Sequence, residues 1–210
     1  MILEAIVTTR NSDGSTNIAP MGPHLSDVDN MGTPSLQSFE LRPFQSSTTF
    51  DNLQRTGQGV LHVSDNVLLF AQAALNRWDV RPDLQPCKKI DCKYLSQANR
   101  FVEFQVKFVD TSNPRATMQC VALHQNDLRP FFGFNRAKHL VIEACILVTR
   151  IDFLPEAEIR QQFRGFQKVI QKTGGPEEIQ AFQWLQDYLN CKSNQQDADS
   201  TDRAPVAGEK

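Results

Sequence analysis

Hydrophobic positions in the first part of the chain come in short runs that alternate with polar ones. Beyond about Asn135 they recur at every third or fourth position. Leu3 to Thr9 is a branched, apolar run and predicts a strand. Asn11-Ser-Asp-Gly14 has turn chemistry, with Gly14 where a positive φ is needed, and Asn17 to Met21 returns as a second strand ended by Pro20 and Pro23. The pair predicts a β-hairpin. Leu25 to Pro34 reads as loop, and Leu36 to Arg42 as a third strand. Ser47, Thr48 or Thr49 can cap a short helix that packs Phe50 and Leu53 and stops at Gly57. Gly59 to Ser64 predicts a fourth strand, and Val67 to Leu75 a short apolar helix. Asn76 to Ala98, with Trp78, two prolines and Lys88-Lys89, is irregular and reads as an excursion over the surface. Phe101 to Val109 alternates: Val102, Phe104, Val106 and Phe108 on one face, Glu103, Gln105 and Lys107 on the other. Asn113-Pro114 turns the chain, and Thr117 to Leu123 pairs back.

The helical part opens at Asn135, a good N-cap, followed by Leu140, Val141, Ala144, Cys145 and Val148 at helical spacing. Pro155 opens a second helix with Ile159, Phe163, Phe166, Val169 and Ile170 on one face, and Gly174-Gly175 stops it. Pro176 starts a third, with Ile179, Phe182, Leu185 and Leu189 inward. After Lys192 the chain is polar without aromatics and reads as a disordered tail. Strands first and helices after predict an α+β protein, mainly β: a small closed barrel with a C-terminal helical hairpin. The expected divisions are 1–152 for the barrel with embedded helices, 153–191 for the hairpin and 192–210 for the tail.

Composition narrows the function classes. A length of 210 residues suffices for a core without staples, and the net charge of -2 gives no reason to expect nucleic acid or an anionic membrane surface. Five scattered cysteines without a Cys-x-x-Cys pair argue against a zinc knuckle and suit a reducing, cytoplasmic setting. The N-terminus does not read as a signal peptide, and no apolar run approaches a membrane span.

His24, His62, His124 and His139 have no metal-ligand spacing, and no Ser-His-Asp or Cys-His set is present. Three polar segments remain. Asn17-Ile-Ala-Pro-Met-Gly-Pro-His24 fixes an exposed strand end whose backbone groups can meet a flat heteroaromatic ligand, or is only a rigid turn. Arg42 to Asn52 sets hydroxyls and one cation at a helix start, which suits a phosphate cradle or ordinary capping. Arg136 and Lys138 in the first turn after Asn135 run against the helix dipole. Either an anion sits there, or Arg136 pairs with Glu143 or a distant carboxylate and Lys138 is solvated.

Several strings are familiar together: Glu4-Ala-Ile-Val-Thr-Thr-Arg10, Asn17-Ile-Ala-Pro-Met-Gly-Pro23, Thr48-Thr-Phe-Asp-Asn-Leu53, Gly133-Phe-Asn-Arg-Ala-Lys-His139, Val141-Ile-Glu-Ala144 and Lys172-Thr-Gly-Gly-Pro-Glu-Glu178. From about Met1 to Leu189 the chain resembles the DUF447 family, within the flavin-reductase-like FMN-binding split-barrel superfamily. The resemblance implies a split β-barrel, a homodimer and FMN near the subunit interface. It implies that Asn17, Ile18, Ala19, Pro20 and Met21 line the isoalloxazine. Arg42, Ser47, Thr48, Thr49 and Asn52 would take the phosphate, with Asn135 and Arg136 completing the site. The expected activity is that of a flavin-dependent oxidoreductase using NADH or NADPH, without an essential catalytic side chain. The alternative is a non-catalytic carrier of FMN or a pterin-like ligand. One departure is notable: relatives lead one to expect Asn at His62 and an acid at Asn66.

Overall fold

The computed structural model describes residues 1–26, 28, 32 and 34–201, with side chains described through Lys192. Strands β1 (Ala5–Arg10), β2 (Thr16–Met21), β3 (Ser38–Leu41), β4 (Gln58–Val63), β7 (Arg100–Asp110) and β8 (Thr117–Asp127) form one six-stranded sheet in the order β2-β1-β4-β7-β8-β3. Every pairing within it is antiparallel. The two edge strands are joined where His24, just past β2, exchanges backbone hydrogen bonds with Glu40 of β3 at 2.8 and 3.0 Å. That bridge closes the strands into a barrel and removes part of both edges.

Alternation directs Val7, Leu41, Leu61, Val102, Phe104, Met118 and Cys120 into the barrel core. Helix α1 (Thr48–Thr56) adds Phe50 and Leu53 to it. Ser47 is its N-cap, accepting from Phe50 N–H at 3.2 Å, and Gly57 ends it in the left-handed region at φ 65°.

Two expectations for the long strand change. Phe108 faces outward, because the pairing slips by one residue between Val106 and Phe108 and sets Phe108 opposite exposed Gln119. Glu103 is fully buried on the outer side. The cover over it is the supposed irregular excursion, which contains a two-stranded hairpin of β5 (Leu84–Pro86) and β6 (Lys93–Leu95). The strands are too short to show alternation in the sequence. The hairpin buries Ile90 and Cys92 against Val60 and Phe101, and Tyr94 stacks on Phe101 with centroids 4.1 Å apart. Glu103 accepts the backbone N–H groups of Lys88 and Lys89 at 3.0 and 2.7 Å.

The barrel strands, α1 and this hairpin form one compact unit, residues 1–66 and 76–133. The second unit joins α2 (Val67–Leu75) to α3 (Arg136–Val148), α4 (Glu156–Thr173) and α5 (Pro176–Thr201). The division therefore differs from 1–152 and 153–191. The apolar faces of α2 and α3 are buried with α4 and α5, so packing and not chain order sets the boundary. Phe163 stacks on Phe182 at 5.3 Å in its core. Gly174 lets the α4–α5 connection pass closely: a Cβ there would lie 2.8 Å from the Ile170 carbonyl oxygen and 3.2 Å from Ala137 Cβ. Ile179, expected inward, is exposed, and Glu178 turns in to accept Gly175 N–H at 2.7 Å. Helix α5 continues past Lys192 to Thr201, where the sequence holds no Gly or Pro to stop it; residues 202–210 lie outside the described ones. No helix among the described residues is long and apolar enough to cross a membrane.

Candidate functional site

The hairpin register sets Thr9 directly opposite Asn17. Opposed residues share a face, and here that face meets α1. Asn17 Nδ2 donates to Thr9 Oγ1 at 3.2 Å and to Thr49 Oγ1 at 3.0 Å. Asn52, one turn further along α1, donates to Thr9 Oγ1 at 3.0 Å and to Asn11 Oδ1 at 2.7 Å. Arg55 reaches back to Asn52 Oδ1 at 3.1 Å and to the Arg10 carbonyl. Thr9, Thr49 and Asn52 are buried, so the group is a largely buried polar network and not a solvated surface.

Three of the expected residues, Asn17, Thr49 and Asn52, are thus brought together from separate segments. Asn17 Oδ1 has no protein partner among the described residues, which leaves one acceptor open. The backbone N–H groups of Thr48 and Thr49, first in the helix, have no intrahelical acceptor, since Ser47 caps only Phe50. Thr48 is exposed beside them.

The β2 edge supplies a second set of groups. Asn11 N–H bonds to Ser15 O and Leu3 N–H to Pro23 O, which fixes the odd-numbered residues of β2 as those that bond to β1. The N–H and C=O of Ile18 and the C=O of Pro20 therefore point away from β1, on a side where β2 has no strand neighbour. Pro20 loses no ladder bond there. Ala19 and Met21 bond inward to β1, so within this segment Ile18 and Pro20 carry the outward backbone groups.

Other expected residues stand apart. Arg42 Nε is held by Glu40, whose other oxygen accepts from Gln119 at 2.7 Å, and Arg42 makes no hydrogen bond to the Asn17–Thr49–Asn52 group. Ser47 Oγ donates to the Phe44 carbonyl at 2.7 Å while capping α1. Asn135 lies in the second unit and caps α3, accepting from Ala137 and Lys138 N–H at 2.8 and 3.2 Å and donating to Thr173 O at 2.9 Å. Lys138, expected to be solvated or to face an anion, pairs with Glu178 at 3.1 Å. Burial alone would raise the Glu178 carboxyl, but Gly175 N–H and Lys138 hold it below its ordinary range. Arg136 is exposed on the first turn of α3. The loop of residues 25–34 lies partly outside the described residues.

His62, where the family resemblance led to the expectation of Asn, sits beneath the β5–β6 hairpin. It is fully buried, and Leu95 N–H donates to Nε2 at 3.0 Å. Nε2 is therefore the acceptor, and Nδ1 carries the proton toward the Ile6 carbonyl at 3.1 Å. Burial lowers its pKa to about 4, against the opposing pull of the Ile6 carbonyl. A neutral ring with both nitrogens engaged ties β4 to β6 and has no free site for proton transfer. Among the described residues, no group of three or more His, Cys, Asp or Glu side chains is placed to hold a metal ion.

Thr9, Asn11 and Arg55 join the group without having been expected from the sequence. The hairpin register, read from the Asn-Ser-Asp-Gly turn, places Thr9 opposite Asn17. Arg55 stands three residues after Asn52 on the same helix.

Barrel, capped short helix and following helices together define the fold class, an α+β protein built on a small antiparallel barrel. The crystal structure of an FMN-bound protein from Methanosarcina mazei, described with the family model DUF447, matches with a TM-score of 0.73 at 20% identity, over 89% of this chain and 94% of that one. The chain belongs to the family described as "Protein of unknown function (DUF447)": its N-terminal domain model matches residues 3–127 and a second model residues 135–187. Two more distant structures are the 2-nitrobenzoate 2-nitroreductase of Pseudomonas fluorescens and a flavin reductase in complex with NADP+. The first has a TM-score of 0.48 at 19% identity, over 59% of this chain and 64% of its own. The second has a TM-score of 0.48 at 16% identity, over 64% and 82%.

Proposed function

We propose that this chain binds FMN at the Asn17–Thr49–Asn52 group and works as a flavin-dependent oxidoreductase. The observation that carries the reading is the convergence of that group, an open β2 edge and the uncapped N–H groups of α1 in one unit. The donor set fits the cofactor. Thr48 and Thr49 offer N–H and hydroxyl donors suited to a terminal phosphate at a helix N-terminus. The Ile18 N–H and C=O and the Pro20 C=O match the alternating donors and acceptors of a flat heteroaromatic ring edge. Bound FMN supplies the capacity to accept and pass on a hydride or electrons. The chain's share is to bind, orient and shield, since His62 has both ring nitrogens engaged by backbone groups. The FMN-bound Methanosarcina protein of the same family supports the choice of ligand.

Purified protein is expected to carry the absorbance of oxidised flavin, with FMN identified by mass spectrometry of the released small molecule. Anaerobic addition of NADH or NADPH is expected to bleach that band. A bound pterin, or a flavin that neither nucleotide bleaches, would reject the oxidoreductase reading in favour of a carrier.

A further inference from the structure

The β5–β6 hairpin holds a pair of thiols that the cofactor reading does not use. Its register pairs Pro86 with Lys93, so the next step sets Cys87 opposite Cys92, and Cys87 N–H donates to Cys92 O at 3.0 Å. Opposed residues in an antiparallel ladder direct their side chains to the same face, with Cβ atoms about 4.5–5.5 Å apart. A disulfide needs roughly 3.5–4.5 Å. Because this is a hydrogen-bonded pair, its Cβ atoms lie at the wide end of that range, and closure asks for a shift of about 1–2 Å at the end of a hairpin. Both cysteines pack with Val60 and Phe101, Cys92 buried and Cys87 half-buried, and both thiols are free. The remaining cysteines do not share this placement: Cys120 is in the barrel core, Cys145 is in α3, and Cys191 is exposed on α5.

We propose that Cys87 and Cys92 are a dithiol–disulfide pair that crosslinks the hairpin covering the outer face of the barrel sheet. The hairpin is otherwise held by Thr8, whose hydroxyl donates to Lys93 O at 2.7 Å, by the Arg10–Asp91 ion pair and by the His62–Leu95 bond. The oxidant is a low-molecular-weight disulfide. The thiolate of the more accessible Cys87 attacks one of its sulfurs, forming a mixed disulfide and releasing the first small thiolate. Cys92 then attacks Cys87 Sγ, forming the protein disulfide and releasing the second. The two protons lost by the cysteines end on the two released thiolates. Burial pushes both thiols up, with the Glu103 carboxylate adding to the rise, so the reaction is slow at neutral pH and accelerates in base.

The test uses the full chain carrying Cys191→Ser, incubated with oxidised glutathione, alkylated and digested with trypsin. Lys88 and Lys89 stand between the cysteines. Cleavage there leaves the peptide ending in Cys87-Lys88 and the peptide Ile90-Asp91-Cys92-Lys93 joined only through a disulfide. The expected result is that joined species, formed about tenfold faster for each pH unit from about 7 to 8. It should disappear in Cys87→Ser, with Cys92 then alkylated. Alkylation of both thiols after the same treatment, or a glutathione adduct that persists on Cys87 with Cys92 free, would overturn the proposal. The wild-type digest decides even if the serine variant fails to fold.

Discussion

At the scale of the residue, His62 shows how burial redirects a side chain. An imidazole pKa lowered to about 4 in the fold, against about 6.5 in the unfolded chain, means that the unfolded state binds the extra proton first. Its contribution is whole above pH 6.5 and is lost as pH falls toward 4, a change of about 3 kcal/mol at 1.36 kcal/mol per pKa unit. Urea midpoints measured between these pH values should fall more steeply for the wild type than for His62→Gln, which has no titrating ring. Thr48 belongs to the same scale. A hydrogen bond to a charged phosphate contributes about 1.5–3 kcal/mol, so Thr48→Ala should weaken FMN by on the order of tenfold or more. Riboflavin, without a phosphate, should bind both proteins alike in a fluorescence titration. Equal losses for the two ligands would move the phosphate away from Thr48. Asn17→Ala, by contrast, removes the link between β2 and α1 as well as an open acceptor, and should weaken both ligands.

At the scale of the element, α1 and β4 meet through two glycines with different duties. Gly57 ends α1 at φ 65°, a conformation that costs an L-residue about 1–2 kcal/mol. Gly59 makes room: a Cβ there would stand 2.6 Å from Phe104 Cζ and 3.1 Å from Leu53 Cδ2, both in the barrel core. Gly59→Ala should therefore cost about 1–3 kcal/mol through overpacking, read as a lowered Tm, and a paired Phe104→Leu should recover part of it. Lack of any change in Gly59→Ala would mean that Phe104 moves aside freely. The Lys138–Glu178 pair ties α3 to the start of α5. Glu178→Gln keeps an acceptor for Gly175 but leaves Lys138 without its carboxylate. Because Lys138 is only partly exposed, a loss of about 1–2 kcal/mol is expected.

For the whole molecule, the homodimer implied by the family resemblance is a proposal, and the largely apolar helix from Asn135 is the contact that the sequence suggests for it. The apolar face of α3 is buried inside its own unit and is not available for a partner. The outer face of the β7–β8 pair instead exposes Phe108 at 61%, Val121 at 37% and Leu123 at 42%. Apolar side chains grouped on one exposed sheet face mark a contact surface, whereas single scattered ones need no explanation. Sedimentation equilibrium at micromolar concentration should give a dimer for the wild type and a monomer for Val121→Lys with Leu123→Lys. A folded wild-type monomer carrying FMN would reject the dimer.

Much was legible in the chain because it is written in local patterns. The hairpin around Asn11 to Gly14, the capped helix from Ser47 to Gly57, the helix opened by Asn135 and the long strand from Phe101 follow from turn chemistry, capping and hydrophobic period, each set by neighbours in sequence. The polar segments around Asn17 and Thr48 were visible for the same reason. Tertiary structure decided what depends on distant partners. A slip between Val106 and Phe108 turns an apolar side chain outward, and three-residue strands cover a buried Glu103; neither leaves a period long enough to read. Glu40 claims Arg42 and Glu178 claims Lys138, because an ion pair is chosen by spatial distance rather than by spacing along the chain. At His62 the family resemblance led only to the expectation of a different residue. Only the β6 backbone against it determined that the ring is neutral, buried and structural.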